Sequence, residues 1–155
     1  MMTPHTVIQI QPQHLEQLLV LLKWRASDQS LPDISNTSDL DSVIHDMEAG
    51  NLRIFAVEIQ NQFCGYLSAA RIPKPDGRVV LYIDELWVAP PFRRQGIAKA
   101  LMSSCLESAK GEPVWRIRLD VNVENPAARA LYISFGFTET AAMFCELQPE
   151  SVKYN

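Results

Sequence analysis

The sequence predicts a mixed α/β domain: a mostly antiparallel sheet of about six strands flanked by about four helices. Short alternating or continuously apolar runs read as strands at six places, and helical periodicity recurs at four. Their order is β-α-α-β-β-β-α-β-α-β, a meander of neighbouring strands followed by strand–helix alternation, as in a mixed sheet covered by helices. A chain of 155 residues, 47% apolar and 21% charged, suits one domain with one core. Residues 1–155 therefore read as a single domain, with a loose polar tail over 148–155.

"TVIQI" is a short alternating strand. Pro12 opens a helix in which Leu15, Leu18, Leu19 and Leu22 recur at helical spacing. "SDQSLPDISNTSD" is polar, rich in turn formers, and reads as a surface loop. A second helix runs from Asp39 or Leu40 to Ala49, with Leu40, Val43, Ile44 and Met47 on one face and Gly50 as its stop. "LRIFAVEI" and "FCGYLSAAR" are strands joined by the turn "QNQ", hence a hairpin. After the loop "IPKPDGR" comes the longest strand-like run, "VVLYIDELWV". "GIAKALMSSCLESAK" is a helix with Ile97, Leu101 and Cys105 in register, and "WRIRLDV" is a strand. That strand–helix–strand unit over 79–121 predicts a parallel pair. "NPAARALYISF" is a helix with Asn125 as N-cap, Pro126 at its first position and Gly136 beyond its end, and "FTETAAMFCEL" is a final strand.

Composition excludes several classes. The net charge is -4, from 14 basic and 18 acidic residues, which argues against a general nucleic-acid binder. No apolar run is long enough to span a membrane, and the start of the chain has no signal-peptide pattern, so a cytoplasmic protein without a membrane partner is expected. Cys64, Cys105 and Cys145 fit neither a disulfide framework nor a zinc site and read as reduced core cysteines; no metal is expected.

One stretch departs from the rule that a helix begins with acids. "WVAPPFRRQGIAKAL" leads two arginines and Gly96 directly into a helix, although the N-terminal end of a helix dipole favours anions. The arrangement makes sense as an anion site, where uncapped N–H groups, a glycine that permits close approach, and the charges of Arg93, Arg94 and Lys99 would serve a phosphate; two solvated arginines in a loop are the plainer alternative. No P-loop and no dinucleotide fingerprint is present.

"RRQGIA", the strand "IDELWVAP" before it, the strand "IRLDVN" after its helix, and "ENPAARALYISFGF" together resemble the GNAT superfamily of acetyl-CoA-dependent N-acetyltransferases, whose signature is R/Q-x-x-G-x-G/A. The resemblance covers 81–137; Ala98 stands where glycine is commoner. It implies a GNAT-like sheet splayed between two central parallel strands. It implies that Arg93, Arg94, Gln95, Gly96, Ile97, Ala98 and Lys99 bind the pyrophosphate of acetyl-CoA as acyl-donor cosubstrate, with Asn125 also touching it. Leu86, Trp87 and Val88 would pair with the pantetheine arm as a strand does, beside a bulge. Tyr132 would be the acid facing the leaving sulfur. Asp84 and Glu85 interrupt an apolar strand, so at least one must reach solvent or a cleft. Glu85 is the first candidate for the base and Asp120 its rival. The implied activity is acetyl transfer to a primary amine of a small molecule or peptide by direct attack in a ternary complex. The alternative is a non-catalytic acyl-CoA-binding or sensor module. Asp28, Asp33, Asp39 and Asp41 could attract a cationic amine, although solvated loop charge explains them as well. An exposed final strand would allow a homodimer.

Overall fold

A computed structural model describes residues 5–31, 40–151 and 153. They fall into two compact units, one up to Asp120 and one from Val121 onward.

In the first unit the elements are β1 (Val7–Gln9), α1 (Leu15–Asp28), α2 (Leu40–Glu48), β2 (Leu52–Ile59), β3 (Gln62–Pro73), β4 (Val79–Val88), α3 (Ile97–Ser108) and β5 (Arg116–Leu119). A 3-10 turn over Pro12–His14 precedes α1. The strands form one sheet in sequence order, antiparallel except for the parallel pair β4–β5. The hairpin between β2 and β3 closes on Gln60 and Asn61, both with positive φ (50 and 61), so the two-residue turn follows the right-handed twist of the strands.

Each face of the sheet carries helices. On one, Ile54, Ala56, Tyr66 and Trp87 pack with Leu15, Leu18 and Leu21 of α1, and Val43, Ile44 and Met47 of α2 join them half-buried. The buried stripe of α1 thus includes Leu21 as well as Leu15 and Leu18. On the other face α3 buries Ile97, Leu101, Met102 and Cys105. That face is set by Gly65: a Cβ there would lie 3.0 Å from Ile97 Cγ2 and 3.2 Å from Val88 Cγ2, so a residue with no side chain lets the start of α3 sit on the sheet.

The second unit holds α4 (Pro126–Ser134) and a short 3-10 turn, Pro149–Ser151. Asn125 caps α4 through Oδ1, which accepts from the Ala128 N–H at 3.1 Å.

Three expectations change. The final strand over 137–147 does not form, and the sheet has five strands among the described residues rather than six. A strand needs a ladder partner; here Glu139 instead accepts two 2.8 Å bonds from Arg129 Nε and Nη2, tying the segment back to α4. In consequence β5 is the outer strand, so the parallel pair lies at the edge of the sheet and not at its centre. Cys64 and Cys105 are buried as expected, but Cys145 on the unpaired segment is exposed. Asp39 as a helix start, and most of the polar loop before it, lie outside the described residues.

Because Leu101 is fully buried between α3 and the sheet, Leu101→Ala should lower unfolding free energy by about 2–5 kcal/mol, read as a lower urea midpoint with an unchanged slope.

Candidate active site

The site grows from one irregularity in β4. Ser68 pairs with Glu85, but the next residue of β3, Ala69, pairs with Ile83, so Asp84 is an extra residue on β4, a bulge. The parallel pairing of β4 with β5 ends at the same level, with Ile83 opposite Leu119. Beyond it, β4 has no ladder partner other than β3 among the described residues. The Ala89 N–H donates to the Cys64 carbonyl at 2.8 Å, which fixes the alternation of the ladder. Trp87 therefore exchanges its backbone bonds with Tyr66, whereas the N–H and C=O of Leu86 and Val88 point away from β3 into the open side. Of the three expected residues, Leu86 and Val88 offer backbone groups there and Trp87 does not. Arg93 Nε already reaches one of these groups, donating to the Val88 carbonyl at 2.9 Å.

The loop from β4 to α3 places charge and bare N–H groups together. Arg94 has φ 62 and Gly96 φ 80, two left-handed residues in three positions. For a non-glycine residue such a conformation costs on the order of 1–3 kcal/mol and is held only by its surroundings. Gly96 is the N-cap of α3; it has no capping side chain, and no acid stands in the first turn. The N–H groups of that turn consequently lack side-chain acceptors. Arg94 and Lys99 are exposed, with no ion pair among the described residues. Arg93 is committed elsewhere: its Nη2 lies 3.3 Å from Asp28 Oδ2 on α1. Gln95 Nε2 donates to the Pro91 carbonyl at 3.3 Å, and Ile97 is buried beneath the turn, so both shape the loop rather than face a ligand with their side chains. Ala98 is half-buried. Bare N–H donors, a left-handed glycine and two unpaired cations suit a phosphate.

On the opposite face of β4, Asp84 is exposed while Glu85 is held in a polar cluster. Arg25 Nη1 of α1 donates to Glu85 Oε1 and to the Tyr66 hydroxyl, both at 2.7 Å, and Tyr66 donates to Glu85 Oε2 at 2.9 Å. Burial first, and then the adjacent Glu85, push the Tyr66 hydroxyl far above its ordinary range. Burial opposes the charge of Arg25, but Tyr66 and Glu85 outweigh it and raise its pKa. Trp87, on the same face two residues on, is 6% exposed, and its indole N–H has no acceptor among the described residues. The sequence held a signal for Arg25: Leu18, Leu21, Leu22 and Arg25 fall on the i, i+3, i+4, i+7 stripe, a charge in a core phase.

Asp120, directly after β5, accepts a short hydrogen bond from the Tyr82 hydroxyl. Of the loop acids, Asp28 holds Arg93, Asp41 is exposed, and Asp33 and Asp39 lie outside the described residues.

Asn125 and Tyr132 belong to the second unit. Within it, α4 ends in a Schellman motif: Gly136, φ 94, donates to the Ile133 carbonyl at 2.9 Å and Phe137 to the Tyr132 carbonyl at 3.2 Å. The apolar contact that accompanies such a motif is here the Tyr132–Phe137 pair, with ring centroids 6.0 Å apart. The helix end thus fixes the ring of Tyr132. Burial raises the pKa of its hydroxyl.

The profile of the Acetyltransferase (GNAT) family matches residues 18–137. N-acetyltransferase 8F1 of Rattus norvegicus is 32% identical over 91 residues, covering 58% of this chain and 41% of that protein. Aminoglycoside N(6')-acetyltransferase type 1 of Klebsiella aerogenes is 30% identical over 70 residues, 45% of this chain and 46% of that protein. The chain thus spans less than half the length of these curated relatives. Among solved structures, an aminoglycoside acetyltransferase from an uncultured soil metagenomic sample, in complex with sisomicin, has a TM-score of 0.78 at 16% identity, covering 93% of this chain and 96% of that one. A protein described as a predicted acetyltransferase with acetyl-CoA, from Clostridium acetobutylicum, has a TM-score of 0.75 at 20% identity, covering 97% and 100%. These two likenesses are of fold.

The Tyr82–Asp120 bond has a pH signature. That hydrogen bond first, with burial second, pushes the Tyr82 hydroxyl from 10.0 up to about 12. Since the folded chain holds this proton more tightly, the stability it contributes is full below pH 10.0 and lost as pH rises through about 12. Tyrosinate absorbance should show the Tyr82 phenol ionising late, as Tyr66 and Tyr132 also do, and Asp120→Asn should bring one late phenol back towards its ordinary value.

Proposed function

The chain belongs to the GNAT family of acetyltransferases, and on that premise we propose that it is an N-acetyltransferase, moving the acetyl group of acetyl-CoA to a primary amine of a small molecule or peptide by direct attack in a ternary complex. The observation that carries the proposal is the bulge at Asp84, which ends the β4–β5 pairing beside the uncapped start of α3. A slot edged with free backbone groups and closed by an anion cradle suits a ligand that is peptide-like at one end and phosphorylated at the other. Acetyl-CoA is such a ligand, and when bound it supplies the activated acyl group.

In this reading the N–H groups at 96–99 hold the pyrophosphate, with Arg94 and Lys99 adding charge from solvent. Arg93 acts on the loop itself, bracing it against β4 and α1. Leu86 and Val88 offer strand-like hydrogen bonds to the pantetheine arm. A freed N–H among them can donate to the acetyl carbonyl oxygen as negative charge develops on it. Asn125 adds a contact from the start of α4.

The acceptor must lose a proton. An alkylamine with a pKa of about 10.4 costs about 4.6 kcal/mol to deprotonate at pH 7. Glu85 is the proposed base, directly or through water. Its two oxygens accept bonds from Arg25 and Tyr66, but a carboxylate has about four lone-pair sites, so acceptor capacity remains. Asp120, held by Tyr82, is the second candidate. Tyr132 donates a hydrogen bond to the leaving sulfur. A thiol ionises at about 8.5 and a phenol at about 10, and burial raises Tyr132 further, so the hydrogen bond, rather than complete proton transfer, is its role.

The engagement of both Glu85 oxygens also supports a second reading, a non-catalytic acyl-CoA-binding module. Thiol release from acetyl-CoA across an amine panel, beside a no-amine control, separates the two. Tyr132→Phe should keep coenzyme A affinity by calorimetry and lose roughly 100–10,000-fold in turnover, the range for removal of one positioned acid. Equal turnover of both proteins would remove Tyr132 from the chemistry.

A further inference from the structure

We propose that the acceptor carries a carboxylate beside its amine, as an α-amino acid does, and that Arg25 recognises that carboxylate. The inference rests on the acetyl-transfer reading above and narrows its substrate class.

The carboxylate that would receive a cationic amine, Glu85, already faces a cation. Arg25 Nη1 stands 2.7 Å from Glu85 Oε1, with side chains 24% and 34% exposed, so both remain reachable from solvent. An amine with no anion of its own would approach Glu85 against the charge of Arg25, at nearly the same distance, and repulsion would offset most of the attraction. A polycation fares worse. A zwitterion changes the balance: its ammonium takes Glu85 while its carboxylate takes Arg25, and every charge keeps a partner through the exchange.

The donors around Arg25 fit this assignment. Arg25 Nε donates to Gln29 Oε1 at 3.2 Å, and Nη1 serves Tyr66 and Glu85. Among the described residues Nη2 has no acceptor, leaving one arm of the planar fork for an incoming carboxylate. Among the described residues the buried indole N–H of Trp87 is a second donor on this face without an acceptor, an arrangement native structures seldom leave unexplained. Tyr66 holds Arg25 and Glu85 together from below, so the two charges present a fixed pair.

The test compares each protein amino acid with the amine left by its decarboxylation, phenylalanine with phenethylamine for example. Thiol release from acetyl-CoA should favour at least one amino acid over its amine by about tenfold or more in kcat/KM, the size of one hydrogen bond to a charged group. Arg25→Met should abolish that preference by raising KM for the amino acid and lowering it for the amine, which no longer meets a like charge; Arg25→Lys should restore part of it. A purely structural role for Arg25 would lower both substrates together. Calorimetry of the same amino acids on the protein saturated with coenzyme A needs no turnover. Binding present in the wild type and lost in Arg25→Met supports the assignment even if no amine releases thiol, in which case the acetyl-transfer reading fails instead. Amines used as well as their amino acids, or no amino acid bound by the wild type, would overturn the proposal.

Discussion

A parallel strand pair that stops part-way leaves backbone donors and acceptors facing open space, and such groups need water or a ligand. In this chain the stop is imposed at Asp84. The extra residue shifts the β3–β4 register, β4 and β5 pair no further than Ile83 and Leu119, and Leu86 and Val88 keep their N–H and C=O groups on the open side. The same residue lies next to the face change that puts Glu85 with Arg25 and Tyr66 while Leu86 and Val88 look the other way. The proposed coenzyme slot and the proposed acceptor face both follow from one inserted residue.

Other features serve that opening. Gly65 has no side chain where Ile97 and Val88 converge, so α3 can begin directly over the strand. Arg93 ties the following loop to β4 through the Val88 carbonyl and to α1 through Asp28. Those restraints hold Arg94 and Gly96 in left-handed conformations and aim the bare end of α3 outward. The positive charge around the helix start is thus divided: Arg93 braces the loop, and Arg94 and Lys99 have no ion pair among the described residues.

What was legible in the sequence was what is local. The bounds of β2 and β4, the helix starting after Gly96, the Asn125 cap and the Gly136 stop follow from periodicity and turn chemistry within a few residues. The family signature was legible because it is one contiguous loop. The Arg25–Glu85 contact joins residues 60 apart and left only the phase of Arg25 on α1 as a trace. The expected final strand shows the same limit. Alternation over 137–147 describes a segment able to be a strand, but pairing is decided by a partner elsewhere, and here Glu139 turns to Arg129, leaving Met143 90% and Phe144 75% exposed. The alternation of ladder bonds that excludes Trp87 from the slot could not be read without the register.

The central claim is that the open side of β4 and the first turn of α3 form one ligand-binding surface for coenzyme A. Amide hydrogen exchange with and without saturating coenzyme A tests it most directly. Slower exchange is expected at Leu86 and Val88 and at residues 96–99, with β1 and β2 unchanged. Unchanged exchange at those amides while coenzyme A is bound, or protection confined to other parts of the chain, would contradict it.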